Sequence, residues 1–127
     1  MDIRRQIEYW LDGSQDDIEA AAVLLEKPKI RQSLFFAHLA VEKALKAHVS
    51  KATETVPPRT HDLLRLAELA GISLEPPRRM FLARLQRYCL EGRYPDFPIE
   101  TPELDEARAE LDEARETRAW LVKQLMP

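Results

Sequence analysis

Apolar residues recur along most of the chain every three to four positions, the spacing of helices that bury one face. The stretch from 30 to 52 is different, because apolar side chains cover nearly its whole circumference. They are Ile30, Leu34, Phe35, Phe36, Ala37, Leu39, Ala40, Val41, Ala44, Leu45 and Ala47. A helix that is apolar nearly all round must be covered on several sides. We therefore predict that this stretch is the central helix of a bundle.

Four further helices are predicted around it, separated by prolines and glycines. They span residues 2–26, with Gly13 and Ser14 in the middle, then 61–70, 78–91 and 101–125. The connection between the first two helices is short, which predicts an antiparallel hairpin. No strand candidate or internal repeat is found. The sequence thus predicts one all-α domain over residues 1–127, a five-helix up-and-down antiparallel bundle.

The helical period also assigns faces and ends to these segments. In the first helix it places four acids outward, which are Asp12, Asp16, Asp17 and Glu19. In the fourth it places five residues inward, which are Met80, Leu82, Leu85, Tyr88 and Cys89. Thr60 and Thr101 are the expected N-caps of the third and fifth helices, Gly71 is expected to end the third, and Gly92 the fourth.

Composition limits the class of protein. Of 127 residues, 45% are hydrophobic and 32% charged, and no apolar run approaches the ~20 residues of a membrane span. The N-terminal residues MDIRRQIEYW contain no secretion-type apolar segment, so we expect a cytoplasmic protein. A single cysteine, Cys89, rules out an internal disulfide, and three scattered histidines make a preformed zinc site a poor interpretation. We expect neither a metal nor a cofactor.

Charge is unevenly distributed, although the formal net charge is only −3. Residues 43–93 contain 10 basic and 5 acidic side chains, whereas the segments before and after them are acidic. Such a distribution can steer an anion to one face. The alternative is pairing between basic and acidic helices within the bundle, and the sequence leaves both open.

The residues that can carry chemistry form three groups, since no phosphate-binding glycine loop or metalloprotease motif is present. Those groups are Glu42, Lys43 and Lys46 on the central helix, His61 and Asp62 at a helix start, and Arg93, Tyr94 and Asp96 in a proline-containing loop. Charges in the middle of an apolar helix need partners or a function. We therefore expect these three groups to lie close together in space.

Two uses of these groups are consistent with the sequence. In the first, Lys43, Lys46 and Arg93 bind phosphate oxygens, the helix start at His61 and Asp62 offers N–H groups, and Tyr94 stacks on a base. In the second, Glu42 forms an ion pair with Arg93, and Asp96 forms one with Lys46 or His61. These pairs attach the loop to the bundle. The two uses do not exclude each other.

Three sequence fragments in this order and spacing resemble one family. They are AHLAVEKALKA at 37–47, THDL at 60–63 and RYPD at 93–96. Together with the five-helix pattern, they resemble the HEPN domain family over almost the whole chain. The resemblance implies a helical bundle that usually dimerises, binds nucleotide or RNA, and often works with a minimal nucleotidyltransferase protein in a toxin–antitoxin-type pair.

Many branches of that family are metal-independent ribonucleases with the motif R-x4-6-H. Here the matching segment begins at Arg93, but residues 94–100 contain no histidine, so the motif is incomplete. Arg31 and His38 satisfy the spacing formally, but they lie inside the central helix, where the family does not place the motif. We interpret His38 as a partly buried residue that faces Glu42 one turn later.

Three functions therefore remain open at this point. The first is a nucleotide- or RNA-binding HEPN protein that acts with a nucleotidyltransferase. The second is a ribonuclease in which His61 or His38 replaces the missing histidine as general base, with Arg93 as its partner. The third is a non-catalytic helical interaction module whose polar residues only hold the fold together.

Overall fold

The computed structural model describes residues 2–89 and 100–125, and it is all-α over that part of the chain. Five α-helices are present there: α1 (Ile3–Glu26), α2 (Ile30–Thr53), α3 (Leu63–Ala70), α4 (Pro76–Leu85) and α5 (Leu104–Leu125). A 3-10 helix at Gln86–Tyr88 follows α4 directly. The predicted all-α helical bundle is confirmed.

The first two helices form the predicted antiparallel hairpin and pack closely, because small residues line their contact. Ser33 Oγ donates to the carbonyl oxygen of Ala21 at 2.7 Å, and Ser14 Oγ donates to that of Ala40 at 2.6 Å. Both serines are fully buried. Gly13 does not interrupt α1, which continues through it. The Gly-Ser pair thus marks a contact with α2 instead of a break.

Helix α2 is the centre of the bundle, as predicted. It packs against α1, α3 and α5, and it contributes the largest share of the buried core. Its fully buried apolar residues are Leu34, Ala37, Ala40, Val41, Ala44, Leu45 and Ala47. Because these side chains are small or aliphatic, three helices can pack closely around α2. Few positions on α2 are therefore open to solvent.

Two predicted helix starts differ from the structure. Asp62, not Thr60, is the N-cap of α3, because its Oδ1 accepts from the N–H of Arg65 at 3.1 Å. Gly71 ends α3 with a φ of 71°, as predicted. The α5 helix begins at Leu104, three residues after Thr101. Helix ends are the least determined part of a periodic pattern, since a cap depends on which side chain reaches the free N–H groups.

The fourth helix is shorter than predicted, and one residue of its predicted inner face is exposed. It ends at Leu85, where the chain tightens into the 3-10 turn, and Gly92 lies outside the described residues. Met80 is predicted inside but is 63% exposed, because the next residue, Phe81, packs in the core one turn before Leu85. The prediction for Met80 is therefore wrong. Leu82, Leu85 and Cys89 are buried, as predicted.

Helix α5 is held by polar contacts with α2 and α4. The side chains of His48 and Lys51 on α2 donate to the main-chain oxygens of Leu121 and Leu125, at 2.7 and 3.0 Å. Arg84 on α4 forms ion pairs with Glu110 and Glu113, at 3.3 and 2.9 Å. Part of the basic middle segment is thus neutralised by the acidic last helix.

No helix within residues 2–89 and 100–125 combines the length and apolar character that crossing a bilayer requires.

We expect Ser14→Ala to destabilise the fold by about 1–2 kcal/mol, because Ser14 joins three helices. Its hydroxyl donates to Ala40 on α2 and accepts from Arg118 Nε on α5 at 2.8 Å. Urea unfolding of the two proteins measures the difference. The control is Ser73→Ala, at an exposed position, and equal losses in both variants would contradict the assigned role.

Candidate functional site

The site is built around Glu42, a carboxylate on α2 that is only 3% exposed. Its Oε1 lies 2.8 Å from Nδ1 of His61, and its Oε2 lies 3.1 Å from Nζ of Lys46. Lys46 is also buried and lies one helical turn after Glu42 on the same helix. A buried carboxylate is costly unless it is paired and hydrogen-bonded. Here each oxygen has its own partner.

His61 reaches this carboxylate from the segment that precedes α3. Its side chain is 37% exposed, so the imidazole connects the buried Glu42 with the surface. The neighbouring residues hold this segment in place: Thr60 Oγ1 accepts from the N–H of Asp62 at 3.2 Å, and Gln86 Oε1 accepts from the N–H of Leu63 at 2.9 Å. The 3-10 turn after α4 therefore helps to position His61.

His38 lies beneath this pair and is fully buried. Its Nε2 donates to the main-chain oxygen of His61 at 3.1 Å, whereas its Nδ1 is 3.8 Å from Glu42 Oε1 and has no hydrogen-bond partner. Burial lowers the pKa of His38, and the nearby Glu42 opposes this only in part. The ring is therefore neutral at neutral pH. The prediction that His38 faces Glu42 is confirmed, although the residue is completely, not partly, buried.

Two contributors to the site were not predicted. The Nζ of Lys46 lies 5.3 Å from the centre of the Trp10 ring, and Trp10 packs edge-on against Tyr9 at 5.1 Å. The aromatic face stabilises a cation that is otherwise nearly removed from water. The second is Gln86, which the sequence placed inside a regular helix. No periodicity distinguishes it, because its role depends on where the 3-10 turn meets α3.

Lys43 does not join this group. Its Nζ lies 2.7 Å from Asp17 Oδ2 on α1. Asp17 was expected to face outward but is buried, so that prediction is wrong, and the ion pair is the reason. Gly13 gives the lysine its space: a Cβ atom there would lie 3.0 Å from Lys43 Cδ. Lys43 therefore belongs to the α1–α2 contact.

Asp62 acts as a helix cap. Its side chain accepts from the N–H of Arg65, and the Gln86 side chain accepts from the N–H of Leu63. Two of the first N–H groups of α3 therefore already have an acceptor. The helix start consequently offers less to an anion than the sequence indicated. Three further predicted site residues, Arg93, Tyr94 and Asp96, lie outside the described residues.

A groove of about 1040 Å³ lies elsewhere and shares no residue with the Glu42 group. It is bordered by the ends of α2, α3 and α5 and the start of α4. Some of its polar groups are used within the fold: Arg78 stacks on Trp120 at 4.2 Å and donates to Thr117 at 3.3 Å. We therefore assign the chemistry of the chain to the Glu42 group, not to the groove.

The Glu42 group can orient and stabilise a histidine. A carboxylate that accepts from Nδ1–H leaves Nε2 as the ring atom that can accept a proton, the arrangement found in carboxylate-oriented general bases. The described residues contain no group of three His, Cys, Asp or Glu side chains that could hold a metal ion.

A family model for the HEPN domain matches residues 7–125 of the chain, from α1 to the end of α5. The chain belongs to the HEPN family. Membership connects it, in general terms, with nucleotide- or RNA-related function. The crystal structure of TT1696 from Thermus thermophilus is similar to this HEPN chain, with a TM-score of 0.75 and 24% sequence identity. The match covers 93% of this chain and 97% of that one. At this identity it shows a shared fold. No curated protein sequence matches the chain.

We expect the stability of this HEPN chain to fall by about 1 kcal/mol between pH 7 and 5.5, because burial lowers the pKa of the fully buried His38 from 6.5. The pKa of the half-buried His48 is also lowered, but its contribution is smaller because solvent screens it. Below 6.5 the unfolded chain binds protons at these two positions that the folded chain does not. Stability therefore rises with pH and levels off above 6.5. Urea unfolding at several pH values measures the effect.

The variant His38→Gln should weaken this pH dependence, and His38→Gln/His48→Gln should remove most of it. A double variant that retains the full dependence would show that other groups cause it.

Proposed function

We propose that the chain is a nucleotide- or RNA-binding HEPN protein whose ligand lies against His61 and the surface around it. The observation that carries this proposal is the 2.8 Å contact between His61 Nδ1 and the buried Glu42. A half-exposed imidazole held by a buried carboxylate is an oriented polar group at the surface. Such groups are used to bind or to transform a ligand.

Positive charge around His61 supports an anionic ligand. Arg59 lies two residues before it, Arg65 is in the first turn of α3, and Arg87 follows Gln86, whose side chain bonds the start of α3. All three arginines are exposed, although Arg65 also forms a surface ion pair with Glu68 at 3.0 Å. Phosphate groups are attracted by such a cluster even without specific geometry.

The lysines of α2 contribute less to this surface than the sequence indicated. Lys46 is buried against Glu42 and Trp10, and Lys43 is paired with Asp17. Their charges are compensated within the fold. In this proposal Glu42 and Lys46 stabilise and orient His61, and exposed arginines attract the ligand. Arg93 contacts a phosphate group, and Tyr94 contacts a base.

The proposal includes the assembly that the family resemblance implies. We infer that the chain forms a homodimer and pairs with a minimal nucleotidyltransferase protein in a toxin–antitoxin-type system. Family membership supports this inference, and co-expression with such a protein followed by size-exclusion chromatography tests it.

We expect AMP, ATP or a short oligoribonucleotide to bind, and His61→Ala and Arg59→Ala each to weaken binding roughly tenfold, a loss of about 1.4 kcal/mol. Isothermal titration measures the affinity. For an RNA ligand, affinity should also fall steeply with salt, since phosphate contacts release counterions.

The matched control is Arg115→Ala. Arg115 is an exposed arginine on α5 that faces residues of α1 across a small groove, away from His61. If no nucleotide or RNA binds to the wild-type protein, the binding function fails and the helical interaction module is favoured.

A second candidate function, a metal-independent ribonuclease, is favoured by the same Glu42–His61 contact. His61 Nε2 would take the proton of a ribose 2′-hydroxyl as its oxygen attacks the adjacent phosphorus, and the 5′-oxygen would leave with a proton from solvent. Glu42 would stabilise the imidazolium that forms. In this interpretation Arg93 binds the phosphate.

For this candidate we expect tRNA or mRNA to be cleaved by the wild-type protein and at least about 100-fold more slowly by His61→Ala, the usual loss when a general base is removed. Arg93→Ala should also slow cleavage. Gel electrophoresis of end-labelled RNA measures the rates. Equal cleavage by all three proteins would identify a contaminating nuclease.

A further inference from the structure

The hydrogen bond between His38 and His61 determines where the proton of His38 lies. A main-chain carbonyl oxygen can only accept, so the His38 Nε2 at 3.1 Å from the His61 oxygen must carry the hydrogen. In a neutral ring the other nitrogen, Nδ1, then has a lone pair and no hydrogen. This atom is the one without a hydrogen-bond partner, in a residue that is fully buried.

The lone pair of His38 Nδ1 points into the space next to Glu42 Oε1, 3.8 Å away. Two acceptors cannot bond each other, so this oxygen takes its hydrogen from another donor. That donor is His61 Nδ1, at 2.8 Å. The tautomer of His38 and the contact between Glu42 and His61 are therefore mutually consistent.

We propose that His38 is a positioning residue for His61: its Nε2–H holds the main chain of His61, and its unprotonated Nδ1 leaves Glu42 Oε1 to the His61 ring. One buried side chain thus determines both the position of the His61 backbone and the bonding partner of its imidazole. This inference rests on the proposed function in so far as it treats His61 as the group that meets the ligand.

The charged and polar groups that surround His38 bear on this role. Glu42 belongs to α2, His61 to the segment before α3, and Gln86 to the 3-10 turn. Lys46, also on α2, is paired with the other oxygen of Glu42. A proton added at His38 Nδ1 would make this nitrogen a donor and bring it into competition with His61 for Glu42 Oε1. Because burial lowers the pKa of His38, the neutral form prevails at neutral pH.

Nitrogen NMR of the protein labelled with ¹⁵N-histidine tests the inference directly. Long-range ¹H–¹⁵N correlation spectra at pH 7.5 distinguish the two neutral tautomers of each ring, and single variants assign the three histidines. We expect His38 to carry its hydrogen on Nε2 and His61 on Nδ1. A hydrogen on Nδ1 of His38, or a doubly protonated His38, would overturn the proposal.

Two amide variants of nearly equal size separate positioning from packing. The amide nitrogen of His38→Gln can replace the Nε2–H donor to His61, whereas the shorter side chain of His38→Asn places its donor near Glu42. We expect His38→Gln to keep the His61 spectrum and to bind nucleotide within about threefold of wild type. His38→Asn should change the His61 spectrum and weaken binding about tenfold, with binding measured at a temperature where both variants are folded.

If both variants alter His61 equally, His38 contributes only volume and the inference fails. If the wild-type protein binds no nucleotide, the proposed function fails, while the tautomer of His38 and the His61 spectra of the two variants still decide the inference. Should His38→Asn not fold, the wild-type spectrum remains decisive.

Discussion

The structure depends on one costly arrangement, a carboxylate buried in the middle of the central helix. Glu42 cannot remain charged there unless donors reach both of its oxygens, and breaking such a buried pair by removing one partner typically costs about 3–5 kcal/mol. Lys46 supplies one donor from the same helix. The other must come from elsewhere in the chain, and it is His61. The need to compensate Glu42 therefore attaches the segment before α3 to the centre of the bundle.

Helix geometry explains why only some of the polar residues on α2 join this arrangement. Successive residues are about 100° apart around a helix, so Lys46 lies only about 40° from Glu42, whereas Lys43 lies about 100° away. Glu42 and Lys46 consequently share a face, directed toward α3 and Trp10. Lys43 points to a different part of α1, where Asp17 pairs with it and Gly13 leaves room for its side chain. Each neighbouring helix thus compensates the charge that faces it.

These facts also separate what the sequence could predict from what it could not. The number of helices, the central place of α2 and the C-terminal glycine of α3 follow from local periodicity and from glycine chemistry. That Glu42 needs a partner follows from its apolar surroundings. The partner of Asp17 and the end of α4 do not follow from the sequence pattern. They depend on how two helices are rotated relative to each other and on where the 3-10 turn begins. A periodic pattern fixes a face only to within about one residue, which is enough to exchange Met80 for Phe81.

The internal compensation of charge determines how this surface can meet an anion. A lysine that is already paired with a buried carboxylate adds little attraction for a phosphate, since the pair is nearly neutral at a distance. In the proposed function, positive charge near His61 then comes from exposed guanidinium groups: Arg59 lies two residues before His61 and Arg87 follows Gln86, whereas Arg65 is itself paired with Glu68 at 3.0 Å. Arginine is suited to this position, because it stays charged and its planar group can bind two phosphate oxygens at once. The buried residues provide rigidity, and the surface provides charge. His61 is the residue where the two meet, because one of its ring nitrogens is held by Glu42 while more than a third of the side chain is open to solvent.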